Sequence, residues 1–376
     1  MRILITGGAG FIGSKLSLAL KKKGHEITIL DNLSSQIHGE DPIIDSPLYR
    51  SILDKFNFIE GDVTCREDWR HAIEDQEVIV HLAAETGTGQ SMYQIERYAE
   101  VNVSGTALML DILVNESHRI KKVIIASSRA VHGEGKYLHP ELGIMYPKSR
   151  KIIDMKNGDF EITYLDGKIL TALATDEESK IHPTSVYGIT KYTQEQMVMA
   201  TCSSIGIAAV GLRFQNVYGE GQSLLNPYTG ILSIFSSQIL NGKEINVFED
   251  GKESRDFIHI NDALDAVIKS IENKNADGEV LNVGTGVQTT VTDVAQSLRK
   301  LYSKDCKVNI SGQFRLGDIR HNFADISKIK SILNFHPKIS FEEGMSKFTQ
   351  WVLQQDIKDI KLNESLEEMK VKGLLK

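Results

Sequence analysis

Cysteine is scarce in this 376-residue chain: Cys65, Cys202 and Cys306 stand far apart and form no CxxC pair. So scattered and odd a set argues against a disulfide framework or a metal knuckle and for reduced thiols in a cytoplasmic protein. A basic surplus is also missing. Lys and Arg total 43 against 50 Asp and Glu, a net charge of −7, so nucleic acid is not an expected partner. Any anionic ligand must be held by a few placed cations and backbone amides. No apolar run approaches the roughly 20 residues that span a bilayer. Ile3-Leu4-Ile5 runs straight into glycines where a signal peptide needs an apolar segment. Neither a membrane partner nor a leader is therefore expected. Internal repeats are absent, and 41% hydrophobic with 25% charged residues excludes a disordered, collagenous or coiled-coil chain. What remains is a globular protein of one large or two joined domains.

The first third alternates between two periods. Short apolar runs at Arg2–Thr6, Glu26–Leu30, Phe56–Glu60, Glu77–Leu82 and Lys122–Ala126 read as strands. Helical patterns run from Phe11 to Lys23 and from about Ile95 to Asn115. Strands this apolar, separated by helices, predict an α/β fold: a doubly wound parallel sheet covered on both faces. Residues 134–182 break the rhythm and read as an inserted lobe, with Asp166-Gly167 as a hairpin turn. A helix from Thr190 and a strand at Ala208–Phe214 restore the pattern. The expected division is a dinucleotide-type domain over 1–216, to which 256–282 returns, and a smaller α/β substrate domain from 217–255 and 283–376. Leu362, Leu366 and Met369, at helical spacing amid charge, predict a surface-docking helix.

Gly7, Gly10 and Gly13 lie between the first strand and its helix, with Phe11 and Ile12 between the last two. Such glycines permit a tight turn, close approach of a pyrophosphate to backbone, and close helix–strand packing. The helix N-terminus then offers amides to the anion. Asp31 ends the second strand near the spacing of about 20 residues at which a carboxylate meets ribose hydroxyls. It favours NAD over NADP, because it repels a 2′-phosphate. Tyr187 and Lys191 are one helical turn apart, so the ammonium can favour a phenolate that otherwise forms near pH 10. Tyr164 and Lys168 share that spacing but span the Asp166-Gly167 turn, so Tyr187 is the better candidate base. Ser128 follows a buried strand, where ligands bind such sheets.

These segments, with Gly61-Asp62-Val63, His81 to Ala84, Asn102, Leu212-Arg213-Phe214, Asn216, Arg255 to His259 and Arg315 to Asp318, resemble the extended short-chain dehydrogenase/reductase family. The group resembled is its NAD-dependent sugar-nucleotide epimerases and dehydratases, over residues 1–133 and 183–355. The resemblance implies a Rossmann-type sheet and a homodimer acting on a nucleoside-diphosphate sugar in polysaccharide biosynthesis. It implies Ser128, Tyr187 and Lys191 as catalytic residues. Cofactor contacts would come from Asn32, Ser34, Asp62, Val63, Leu82, Ala83, Ala84, Asn102, Tyr187 and Lys191 besides the glycine loop and Asp31. Substrate contacts would come from Thr86, Ser128, Asn216, Arg255, Arg315 and Asp318. For Arg255, a simple ion pair with Asp256 is the competing reading.

In the 4,6-dehydratases of that group an Asp-Glu pair follows the catalytic hydroxyl residue; here Arg129-Ala130 stands there, and neither is a general acid or base at neutral pH. The expectation is a 4-epimerase that oxidises C4 and returns hydride on the opposite face. Reduction, decarboxylation and dehydration within the same family remain alternatives, as does an NAD-binding regulator. The loop Glu85–Ser91 and the insert resemble the branch acting on 6-deoxyhexose nucleotides, such as dTDP-L-rhamnose 4-epimerases. Paired cysteines found in the insert of some relatives are absent, and no metal is expected. The insert is expected beside the active-site mouth, as a cover for the sugar or as a subunit contact. His132 stands where the group commonly has Tyr.

Overall fold

The structure, a computed structural model, describes residues 1–224, 226, 228, 230–355 and 362–376. Its centre is a parallel sheet of seven strands: β1 Arg2–Thr6, β2 Glu26–Asp31, β3 Asn57–Glu60, β4 Val78–His81, β5 Lys122–Ser128, β6 Ala208–Phe214 and β7 Val280–Val283. They lie in the order β7-β6-β5-β4-β1-β2-β3, with Ile3 beside both Ile27 and Val78. Side chains alternate across the sheet, as the strand period of two demands. Ile3, Ile5, Ile29, Val78 and Val80 enter one core; Leu4, Leu30, Ile79, Val123 and Ile125 enter the other. Helix α1 Phe11–Lys22 covers the first face, and α2 Arg66–Ile73, α3 Gly105–Asn115 and α4 Val186–Ser204 cover the second. No described helix is long and apolar enough to cross a membrane.

After β1, β2 and β3 the chain returns to β4 on the other side of β1, so the carboxyl ends of β1 and β4 open a crevice at the reversal of strand order. A second core gathers Tyr218, Phe235, Val247, Phe257, Leu298 and Phe348 beyond it. Three departures from the expected division have packing reasons. Phe257–His259 does not enter the large sheet but pairs with Asn216–Tyr218. Helix α5 Ile260–Glu272 and β7 do join the first core, yet so do Ala324, Ile326, Ile329, Leu333 and Phe335, because α6 Ser327–Leu333 packs on β7. The helix expected over Ile95–Asn115 contains a π-helical turn at Ala99–Ser104.

The insert forms a three-stranded antiparallel sheet of Gly143–Met145, Tyr137–His139 and Thr171–Ala172. Its hairpin closes through Tyr164 N–H to Lys168 O (2.9 Å) and Leu170 N–H to Ile162 O (2.8 Å), with Gly167 at φ 80°. It is tied to the second unit. The Arg150 guanidinium grips both Glu249 oxygens at 2.8 Å, and Arg320 bonds Glu161 of the insert and Asp250 of the second unit.

Candidate active site

A cleft of about 610 Å³ runs from the crevice into the second unit. At its sheet end the glycines do three separate jobs. Gly7 has φ +66°, and a Cβ there would sit 2.8 Å from Ala83 N. A Cβ on Gly13 would strike Gly7 O and come within 2.6 Å of Gly8 Cα. On Gly10 it would meet only Gly7 O, at 3.3 Å, so this backbone is open to the cleft. Helix α1 starts there with no side-chain cap and no acid in its first turn, which leaves its amides to an anion. Asp31 accepts from Ala9 N–H and Leu33 N–H, both at 2.9 Å. Burial pushes its carboxyl up, while His38 and those amides hold it down. Phe11, Ile12, Asn32, Ser34, Val63, Leu82, Ala83 and Ala84 line the same end. A dinucleotide fits this cradle: an open backbone for its pyrophosphate, then a carboxylate for its ribose.

Ser128, Tyr187 and Lys191 line the middle of the cleft. Ser185 caps α4 by accepting from Gly188 N–H (3.1 Å), so the helix begins one residue before Tyr187. Tyr187 and Lys191 then share a face. The Ser128 hydroxyl, which accepts from Ala130 N–H at 3.2 Å, lies beside the Tyr187 phenol. Burial raises the phenol above its ordinary range; the Ser128 hydroxyl and the Arg129 charge oppose that. Burial brings the Lys191 ammonium down to about 7, and Nζ donates to Gln194 at 2.8 Å. Arg129, a second cation beside Tyr187, donates from Nε to Asn216 Oδ1 at 2.8 Å.

Arg255 and Arg315 line the far end with Asn216 and Asp318. The ion pair considered for Arg255 does not form. Asp256 is fully buried and accepts instead from Thr285, Gly286 and Ala324 amides. Arg255 donates to the carbonyls of Ser254, Ile319 and Arg320 and, among the described residues, makes no direct ion pair, its charge acting on Asp318 at longer range. Arg315 differs: Asp318 pairs with it at 2.7 Å, and it lies over the Phe248 ring at 5.2 Å.

Thr86 also lines the cleft, whereas Asp62 and Asn102 do not. The Asp62 carboxylate is occupied by Thr64 and by Asn32. Asn102, fully buried in the π-helical turn, bonds both backbone groups of Glu85 and the Thr190 hydroxyl; it fixes the loop before Thr86 to α4. His132 is buried against Arg213 at 3.2 Å, and burial takes its ring down to about 3. Sequence reasoning missed three groups. Arg129 was read only as an absent acid. Asn246 and Phe248 at the far end carried no motif. Helix α7 Leu362–Val371 supplies Leu362, Leu366 and Met369 to the cleft wall, while no residue of the insert lines it.

Residues 3–149 and 166–284 match the model of the NAD dependent epimerase/dehydratase family, the gap falling inside the insert. The chain is 35% identical to a dTDP-L-rhamnose 4-epimerase of Burkholderia thailandensis, over 94% of this chain and 95% of that protein. The solved UDP-glucose 4-epimerase of Thermotoga maritima, with UDP-glucose, is similar at TM-score 0.74 and 28% identity, over 94% of this chain and 99% of that one. The UDP-glucuronic acid 4-epimerase of Bacillus cereus, in complex with UDP-glucuronic acid and NAD, is similar at TM-score 0.74 and 26% identity over the same shares. With so much of its length matched, the chain belongs to the NAD dependent epimerase/dehydratase family, and NAD is its cofactor.

Proposed function

We propose that the chain is a 4-epimerase of a dTDP- or UDP-linked hexose or 6-deoxyhexose, working in the cytoplasm as a homodimer in polysaccharide precursor synthesis. The carrying observation is that the glycine cradle, Ser128, Tyr187 and Arg255 line one continuous cleft. The relative from Burkholderia thailandensis, by its name, supports the dTDP-6-deoxyhexose end of that range.

NAD supplies a hydride acceptor and donor when bound. The open backbone at Gly10 and the first amides of α1 hold its pyrophosphate, Asp31 one ribose and Lys191 the other. Tyr187 Oη takes the proton of the sugar 4-hydroxyl as C4 is oxidised and gives it back as C4 is reduced. Ser128 Oγ bonds the same oxygen and keeps it in line with Tyr187. Arg255 and Arg315 grip the diphosphate throughout, a task suited to the planar guanidinium fork, so only the sugar turns over. Arg129 and Ala130 offer no acid–base pair to expel water.

The test is to incubate the protein with dTDP-L-rhamnose and with UDP-glucose, without added cofactor, and follow C4 configuration by NMR. The expected result is an equilibrium of two C4 epimers with no net NADH. NADH accumulating in step with product, loss of water, or release of carbon dioxide would overturn the reading.

A further inference from the structure

The C-terminal segment bridges the two walls of the cleft. On the sheet side, Met369 lies 3.3 Å from where a Cβ on Gly89 would stand, and Glu368 accepts from the Tyr93 hydroxyl at 3.1 Å. Lys372 sits over the Tyr93 ring. On the other side, residues 374–376 run antiparallel to 314–316: Leu316 N–H donates to Leu374 O (2.9 Å) and Lys376 N–H to Phe314 O (3.0 Å), with Arg315 opposite Leu375. Met369 and Leu375 are almost fully buried. A helix merely docked on a surface would not add its apolar residues to the lining of a cleft between two units.

The end it covers is the sugar end. Met369 lies on the Thr86–Gly89 loop, whose Thr86 and Gly87 carbonyls receive the Tyr98 hydroxyl. The Tyr98 ring stands edge-on to Tyr187 at 6.5 Å. The helix gives this cleft Leu362, Leu366 and Met369, side chains with no strong hydrogen-bonding group, and the neighbouring Tyr228 hydroxyl is already donated to Glu368 at 3.3 Å.

Resting on the 4-epimerase reading, we propose that this C-terminal strap is the sugar-specificity element, an apolar roof that selects 6-deoxyhexoses over the corresponding hexoses. Two physical consequences recommend an apolar roof. A 6-hydroxyl pressed against it loses its water without gaining a partner, whereas a methyl does not. Its contacts are also non-directional, so the oxidised sugar can turn over beneath it without breaking hydrogen bonds on that side.

The test compares kcat/KM for dTDP-L-rhamnose and dTDP-L-mannose, which differ only by the 6-hydroxyl, in the full chain, in Met369→Gln, and in a chain ending before Leu362. The full chain is expected to favour the 6-deoxy substrate on the order of 10- to 100-fold, the range in which an apolar pocket rejects an added hydroxyl. Met369→Gln, which keeps both anchors and supplies an amide to a 6-hydroxyl, is expected to erase most of that ratio through KM. The shortened chain is expected to lose the ratio and to release free 4-keto sugar, leaving an equal amount of NADH on the protein. An unchanged ratio in a folded Met369→Gln variant and in the shortened chain overturns the proposal while the epimerase reading stands. So does a full chain that prefers dTDP-L-mannose. A full chain that epimerises neither of these nor UDP-glucose overturns the reading itself and the proposal with it.

Discussion

Arg255 and Arg315 look equivalent as residue types, yet the structure gives them different partners. Asp318 pairs directly with Arg315, whereas three carbonyls hold Arg255, which acts on Asp318 only at longer range. A charge-assisted bond to a phosphate contributes about 1.5–3 kcal/mol, so Arg255→Met is expected to raise KM on the order of 10- to 100-fold with a smaller change in kcat. Arg315→Met should do less. Steady-state kinetics on both variants checks this, and a larger KM effect at Arg315 would reverse the assignment. Tyr187 gives a second prediction. Its phenol is raised by burial, and Arg129 pulls it down, so kcat/KM should climb with pH as the phenolate forms. Removing the cation in Arg129→Met should move that limb to higher pH; a limb that stays in place would remove Arg129 from this role. Tyr187→Phe should nearly abolish turnover with NAD still bound, while Tyr164→Phe, in the insert hairpin away from the cleft wall, should be near neutral in the same assay.

Elements decide which residues reach the cleft, and here the sequence speaks unevenly. Strands β1 to β6 and the glycine turn are legible because buried parallel strands and a loop needing positive φ leave few residue choices. Tyr187 could be told from Tyr164 because an Asp-Gly turn cannot lie within a helix face. The π-helical turn at Ala99–Ser104 has no such signature. It turns Asn102 inward onto Glu85 and Thr190, and the marker residue serves to position a loop where a ligand contact was expected. Likewise, the spacing of Leu362, Leu366 and Met369 announces an apolar face but says nothing of what it meets. Only the pairing of 374–376 with 314–316 directs it over the cleft. Asn102→Ala should therefore leave two part-buried backbone groups of Glu85 without their partner, at about 1–3 kcal/mol. The expected outcome is a lower Tm together with a fall in kcat from a displaced Thr86 loop. A lower Tm with unchanged kcat would make Asn102 a purely structural residue.

At the scale of the whole molecule, the insert, the second unit and the floor beneath Arg255 meet at one fully buried cation, Arg320. Its backbone amide donates to Glu134 at 2.7 Å, and its guanidinium bonds Glu161, Glu249 and Asp250. Its carbonyl also receives Arg255, so the network that holds the insert in place sets the phosphate-binding arginine too. Glu249, Asp250 and Glu253 lie close enough together to suggest a cation site, but Arg320 and Arg150 already supply the positive charge there. Burial lifts both Glu134 and Glu253 to about 7, so these two favour the fold in their protonated form and oppose it increasingly as pH rises from the ordinary carboxylate range through about 7. Arg320 offsets that opposition for Glu253 and helps hold the Asp250 carboxyl below its ordinary value. Removing one partner of a buried ion network costs about 3–5 kcal/mol, because the other charges are left uncompensated. Arg320→Met is therefore expected to lose about that much stability at pH 7, measured by denaturant unfolding. The loss should shrink as pH falls toward 5, since protonation relieves carboxylates that no longer have a counter-charge. The native chain should change less over the same interval. A deficit equal at both pH values would mean that Arg320 acts through packing alone, and a deficit under about 1 kcal/mol would mean the insert is anchored elsewhere.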